Sequence, residues 1–471
     1  MMIKKIISAA ILGCLLLASV SCDDFLTETP SISIPDEEAF LSPRDYEVAL
    51  RGTYNTLGQA EFMGRNALAL GDVASDQSAH SVATSHFYDI FNYQILETNG
   101  YLKDIWSYGY KVIDHSVRII SAAKEATGFS ESEMASIHQT VAQAYGLKAL
   151  SEFILVNYYG LPYSEANKST LGIVNVEKQV QPFEKIARAT VEENYKLILS
   201  DIENAKAHYG EEGVEDAGAF FMNRAAVAAL EARVRLYYQD YEGAIRAAKE
   251  ALELRKGKIV SNAGDYQDMF YRLDISTEDI FVISKTETDY LTANSLNTLF
   301  KDYGVSVNET TIAMFPETDI RRSVFDGGWT GGKLSGLLQN GNHLDIQNVP
   351  VFRLPEVYLT LAEASARAGK YAEARESYLA VAASRNPALD AETVKADATL
   401  LPLILRERAL ELVQEGHRFF DARRLGEKID VADGAYRAFD AARFVYPVPV
   451  KEINANAGVE QTPGWDEHLP H

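Results

Sequence analysis

Apolar positions recur with helical spacing along most of the chain. Over 101–126 they fall three and four apart, at Ile105, Tyr108, Val112, Ile119 and Ala123, which predicts a helix with one buried face. Residues 131–159 read as one long helix closed by Gly160 and Pro162, and 182–209 as another. Asp36, Glu37 and Glu38 place acids where a helix N-terminus favours them. Two helix pairs look alike: 225–238 with 241–252, and 356–368 with 369–378. Aligned on Tyr241 and Tyr371, small residues coincide at Ala232 and Ala362, then at Ala244 and Ala374. Small residues let antiparallel helices cross closely, as in tetratricopeptide pairs. The long separation of the two pairs predicts that they do not form a continuous array.

The helical pattern gives way over 256–351. Asp279-Ile-Phe-Val-Ile-Ser284 reads as a short strand among Gly-, Asn- and Asp-rich stretches. Near the end, Phe444-Val-Tyr-Pro-Val-Pro-Val450 is expected to be extended, because each Pro disfavours helix at the residue before it. The expected fold is mainly α: a helix-pair scaffold with an irregular, loop-rich lobe containing short strands.

The first segment bears on compartment. Lys4 and Lys5 precede an apolar run over 6–20, and Ser21 stands before Cys22. This pattern predicts a secretory signal peptide over 1–21, too short for a retained transmembrane helix. A small residue before Cys matches a bacterial lipobox, so Cys22 is the expected lipidation site. Ser19 departs from the Leu such a box prefers, and Ile11-Leu-Gly-Cys14 fits its letters better. Cutting there, however, would strand Leu15, Leu16 and Leu17 outside the apolar core. Acidic Asp23 and Asp24 open a tether over 22–35. Processing at Cys22 would leave one Cys, blocked by acylation, hence no disulfide and no Cys-based metal site. The most apolar later stretch, 141–163, is broken by Lys148 and Glu152, so a soluble body held by a lipid is expected.

Composition narrows the function classes. Hydrophobic residues at 47% and charged residues at 24% are ordinary for a globular chain. Lys+Arg number 45 against 67 Asp+Glu, a net charge of −22, which argues against a nucleic-acid binder.

Three C-terminal blocks carry a family resemblance. They are Pro350-Val-Phe-Arg-Leu-Pro-Glu-Val-Tyr-Leu-Thr-Leu-Ala-Glu-Ala364, the run Glu407-Arg-Ala-Leu-Glu-Leu-Val-Gln-Glu-Gly-His-Arg-Phe-Phe-Asp-Ala-Arg-Arg424, and Tyr446-Pro-Val-Pro-Val-Lys-Glu-Ile-Asn-Ala-Asn456 followed by Thr462-Pro-Gly-Trp465. With the helix exit over 144–163, they resemble the SusD/RagB family of outer-membrane nutrient-binding lipoproteins. The resemblance implies an N-terminal helical region over 36–255 and a C-terminal region over 256–471. The latter would comprise a lobe over 256–350, helices over 351–425 and a closing segment over 426–471. It further implies a glycan ligand, no catalysis, no cofactor, and a SusC-like TonB-dependent outer-membrane barrel as partner. Asp23 and Asp24 beside the anchor would suit display on the outer face.

Four constellations invite chemistry. Gly327-Gly-Trp-Thr-Gly-Gly332-Lys333 has the frame of a phosphate-binding loop, but Leu334 stands where Ser or Thr should hold Mg²⁺, so a flexible loop displaying Trp329 is expected instead. His417 and Asp421, with Glu411 and Glu415, imitate a metal site. Arg406, Arg408, Arg418, Arg423 and Arg424 beside them favour an ion-pair lattice, and no metal is expected. Asp72, Asp76 and His80 are spaced four apart and invite a glycosidase reading, though binding fits them as well. Glycan binding needs flat rings for sugar faces and planar polar groups for hydroxyls. Trp106 lies on an apolar helix face and Trp465 in the closing segment, which leaves Trp329 as the leading ligand residue. Tyr290, Asn294, Tyr303 and Asn308 follow, with His86, Tyr88 and Asn92 from a polar-aromatic stretch. A peptide ligand, or a scaffold holding a partner protein on its helix pairs, is the alternative.

Overall fold

Capping chemistry sets where the helices begin. The computed structural model describes residues 39–81, 84–181, 183–325, 332–334, 346–429 and 439–469. The signal peptide, the tether with Cys22, and the acids Asp36–Glu38 lie outside the described residues. Helices α1 (Pro43–Leu57), α2 (Asn66–Val73) and α3 (Tyr88–Phe91) precede two long ones, α4 (Gly100–Lys124) and α5 (Glu131–Tyr159). Next come α6 (Val191–Gly210), α7 (Arg224–Tyr237) and α8 (Tyr241–Arg255), then the short α9 (Ala263–Tyr271), α10 (Leu296–Asp302) and α11 (Glu309–Ala313). The C-terminal part holds α12 (Leu354–Arg367), α13 (Tyr371–Arg385), α14 (Leu400–Glu411), α15 (Arg418–Leu425) and α16 (Val450–Ala455). Strands β1 (Ser78–His80), β2 (Asp279–Ile283), β3 (Val305–Val307), β4 (Val349–Arg353), β5 (Lys428–Ile429) and β6 (Phe439–Asp440) pair antiparallel as β1–β3, β2–β4 and β5–β6.

Ser130 and Glu133 form a capping box at the start of α5, and the helix ends at an extended Gly160, as its sequence predicts. Thr190 and Glu193 form a second box, which corrects the expected helix over 182–209: α6 starts only at Val191, and 184–189 is not helical. The strand expected at 279–284 is β2, and 444–449 is free of helix, as the prolines require.

The described residues divide into two units between Tyr46 and Glu47. In the first, Asp45 Oδ2 accepts the N–H groups of Leu41 (3.1 Å) and Ser42 (2.7 Å) ahead of α1. In the second, α5 packs between α4 and α6, α7 pairs with α8, and α12 with α13. The two similar helix pairs, expected not to form a continuous array, are neighbours: α12 packs directly against α8. The lobe between them is an excursion from which the chain returns to the same stack. Ala232, Ala244, Ala362 and Ala374 are all buried, and Arg233 of α7 reaches Glu356 of α12 at 2.6 Å. Trp106 is core, edge-on to Tyr159. Among the described residues no helix is long and apolar enough to cross a membrane.

A buried ionic lattice joins the lobe to the C-terminal helices. The Glu411 carboxylate accepts from Arg321 (3.1 Å), Arg353 (3.1 Å) and Arg385 (2.9 Å). Glu278 holds Arg353 and Arg385 at 2.9 and 2.8 Å, Asp319 holds Arg321 at 2.7 Å, and Glu415 holds Lys333 at 2.8 Å. Groups so deep are tolerated only when paired. The guanidiniums hold the carboxyls of Glu411 and Glu415 down despite burial, Glu415 to about 2.

Candidate functional site

The lattice and its surroundings absorb three of the four constellations. Lys333, the lysine of the phosphate-loop frame, is buried, its ammonium donating to the Glu411 carbonyl at 2.6 Å and to Glu415. Asp421 accepts from Arg408 (2.8 Å) and Arg424 (2.7 Å), so the motif around His417 builds ion pairs between α14, α15 and their neighbours. Asp76 is gripped through both oxygens by Arg418 at 2.7 Å, and Asp72 is buried, accepting from Gly416 N–H at 3.1 Å. His80 turns its ring nitrogens to the carbonyls of Ser81 (2.7 Å) and His86 (2.6 Å). These groups therefore hold the β1 turn to the scaffold.

The fourth constellation, the sugar-binding set, is brought together in part by the β1–β3 ribbon. Its register pairs Ser78 with Val307 and His80 with Val305. The ladder continues through Ser81 N–H to the Gly304 carbonyl (2.7 Å) and Thr84 Oγ1 to the Tyr303 carbonyl (2.6 Å). Gly304 has φ +76°, and a Cβ there would lie 2.8 Å from Ser81 Cβ, so this position requires glycine. The crossing lays His86 flat against Tyr303, ring centroids 3.9 Å apart and planes within 4°. Both rings are half-buried. The next residue, Phe87, adopts φ 56° and turns inward, buried and stacked on Tyr101 at 3.9 Å. A left-handed non-glycine residue is uncommon, and here it reverses direction between an outward ring and an anchoring one.

Arg65, at the start of α2, completes the patch. Its Nε donates to Asn66 Oδ1 (3.0 Å) and its Nη1 to Asn294 Oδ1 (2.9 Å), and its guanidinium lies 5.8 Å from the Phe87 ring centroid. Asn294 is exposed. Desolvation lowers the Arg65 pKa, opposed by the fields of Tyr101, Glu61, Asp104 and Tyr303. Desolvation first, then the charges of Arg65 and His80, lower the His86 pKa, which favours its neutral ring. The patch therefore offers an aromatic stack, an amide and a cationic fork.

The other expected residues fall elsewhere. Asn308 is the N-cap of α11, accepting from Thr311 N–H (2.8 Å) and donating to the Asp76 carbonyl (2.8 Å), so its amide is engaged within the fold. Asn92 is half-buried, with its amide nitrogen closed to solvent. Tyr88 is half-buried, edge-on to His80 at 5.4 Å. Tyr290 is half-buried in the loop before α10. Trp329 lies outside the described residues. Sequence reasoning missed Arg65 and Tyr101; neither belongs to a motif, and they reach the patch through contacts with Asn294 and Phe87.

Comparison with known proteins agrees with this architecture. Residues 290–465 match the family model described as "SusD family", and 24–236 match one described as "Starch-binding associating with outer membrane". SusD-like protein P2 of Formosa agariphila is 24% identical, with 96% of this chain and 98% of the relative covered. A solved structure of a Bacteroides vulgatus protein, described provisionally as sugar binding, superposes with a TM-score of 0.81 at 26% identity, covering 91% of this chain and 99% of that one. A SusD superfamily structure from Bacteroides thetaiotaomicron gives a TM-score of 0.78 at 21% identity, covering 90% and 100%. Two SusD-type family models thus match successive parts of the chain, relatives align from end to end, and the neighbouring helix pairs, the buried lattice and the β1–β3 ribbon sit in that frame: the chain belongs to the SusD/RagB family.

Proposed function

We propose that this protein is a glycan-binding lipoprotein of the outer membrane that delivers its ligand to a TonB-dependent transporter. The observation that carries the reading is the half-buried His86–Tyr303 stack flanked by Arg65 and Asn294. Flat rings cover sugar C–H faces while an amide and a guanidinium bond the hydroxyls. The relatives support it: one is described as sugar binding, and one matching model is described as starch-binding and outer-membrane associated. Cys22 is the proposed anchor and 22–35 the tether that lets the body reach its SusC-like partner. Trp329 and Tyr290, from the lobe, are the proposed additional ligand residues. The protein is a binder rather than a hydrolase, because Asp72 and Asp76 are already committed to backbone and Arg418. The test is a glycan array probed with the full chain in detergent. Retention of a defined oligosaccharide family is expected; retention of peptides with no saccharide would replace the glycan by a peptide ligand.

A further inference from the structure

The charge at the patch narrows the class of sugar. Most guanidiniums deep in this molecule face carboxylates or several backbone carbonyls: Arg321, Arg353, Arg385, Arg408 and Arg424 are ion-paired, while Arg188 and Arg423 bond carbonyls. Arg65 does neither. Its hydrogen bonds go to two neutral amide oxygens, and no carboxylate of the described residues lies within ion-pair distance of it. Two carboxylates reach it only through their fields: Glu61, and Asp104, which is paired with Lys103 at 2.9 Å. Burial and the neighbouring Arg65 charge favour the neutral ring of His86 beside it. A half-buried cation whose charge nothing in contact balances stands at the edge of an aromatic stack, in a chain of net charge −22 rich in acids that could have paired it. A neutral sugar hydroxyl would leave that charge unbalanced; a carboxylate or sulfate would form a charge-assisted pair with it. The chain's overall negative charge does not forbid this, since charges beyond about 8 Å are largely screened at physiological salt.

Resting on the reading of the His86–Tyr303 stack as the sugar platform, we propose that the ligand is an anionic glycan whose carboxylate or sulfate ester pairs with Arg65. Asn294 holds the guanidinium in place through Nη1 and leaves Nη2 for the anion.

The experiment measures binding of the full chain to uronate oligosaccharides and their carboxyl-reduced counterparts, and to sulfated oligosaccharides and their desulfated counterparts. One charged series should bind at least about 10-fold more tightly than its neutral match, the scale of one charge-assisted pair, and which series does so identifies the anion. Arg65→Gln should erase that preference. Asn294→Asp, at an exposed position, places a carboxylate on Arg65 and should erase it too, with the melting temperature unchanged; it serves if Arg65→Gln does not fold. Equal binding of charged and neutral partners, or a preference that survives both variants, overturns the anionic assignment and leaves the glycan reading standing. Binding of no saccharide in any series overturns both.

Discussion

Arginine stands in two settings in this molecule. In the lattice, Arg321, Arg353 and Arg385 are fully buried and share the Glu411 carboxylate. At the patch, Arg65 is half-buried and bonded to amides. The contrast separates scaffold from site. Removing charges from water costs several kcal/mol per ion, which the lattice offsets only by near-complete pairing. A binding site instead leaves a capacity open for something that arrives later.

Breaking the lattice should have the largest effect. Glu411→Gln would leave three buried guanidiniums short of a shared counter-charge, and a loss of about 3–5 kcal/mol of stability is expected in denaturant unfolding. Glycan affinity per folded molecule should stay unchanged; a parallel fall in affinity would show that lattice and patch are one unit.

Acid should act on the lattice as well. Its guanidiniums depress the Glu411 and Glu415 pKa values below those of the unfolded chain, so the native state holds fewer protons there. This contribution is fully present above about pH 4.5, the unfolded range, and drains away as pH falls toward 2. Stability measured from pH 6 to 3 should drop below pH 4.5, and Glu415→Gln should flatten part of that slope.

A smaller effect is expected at the hinge of the patch. Gly304→Ala forces a left-handed alanine against Ser81, at a cost of about 1–2 kcal/mol. Because Gly304 fixes where Tyr303 meets His86, affinity should fall with it, as calorimetric titration would show. An unchanged affinity would detach the ribbon from the site.

The two settings also differ in how far the sequence announces them. The helical periodicity of 101–126 and 131–159 and the β2 run are local signals, and the corresponding elements form as expected. The blocks 350–364 and 407–424 supply Arg353, Glu356, Glu411, Glu415 and Asp421 to the interior, so the most recognisable residues are scaffold. The adjacency of the two helix pairs was not legible, because the buried alanine faces say that helices cross but not which ones. Arg65 was invisible for the same reason: nothing near Gly64-Arg65-Asn66 shows that the chain beyond 290 will return beside it. His86 and Tyr303 were legible as residue types, but their stacking depends on a pairing across more than two hundred residues.

The most direct test is Tyr303→Ala, compared with the parent chain by calorimetric titration of an array-identified glycan and by thermal melting. Loss of one ring of the stack should weaken binding by about 1–3 kcal/mol, the scale of a central aromatic contact, with little change in melting temperature. Unchanged affinity in a folded Tyr303→Ala protein would contradict the assignment of the binding site.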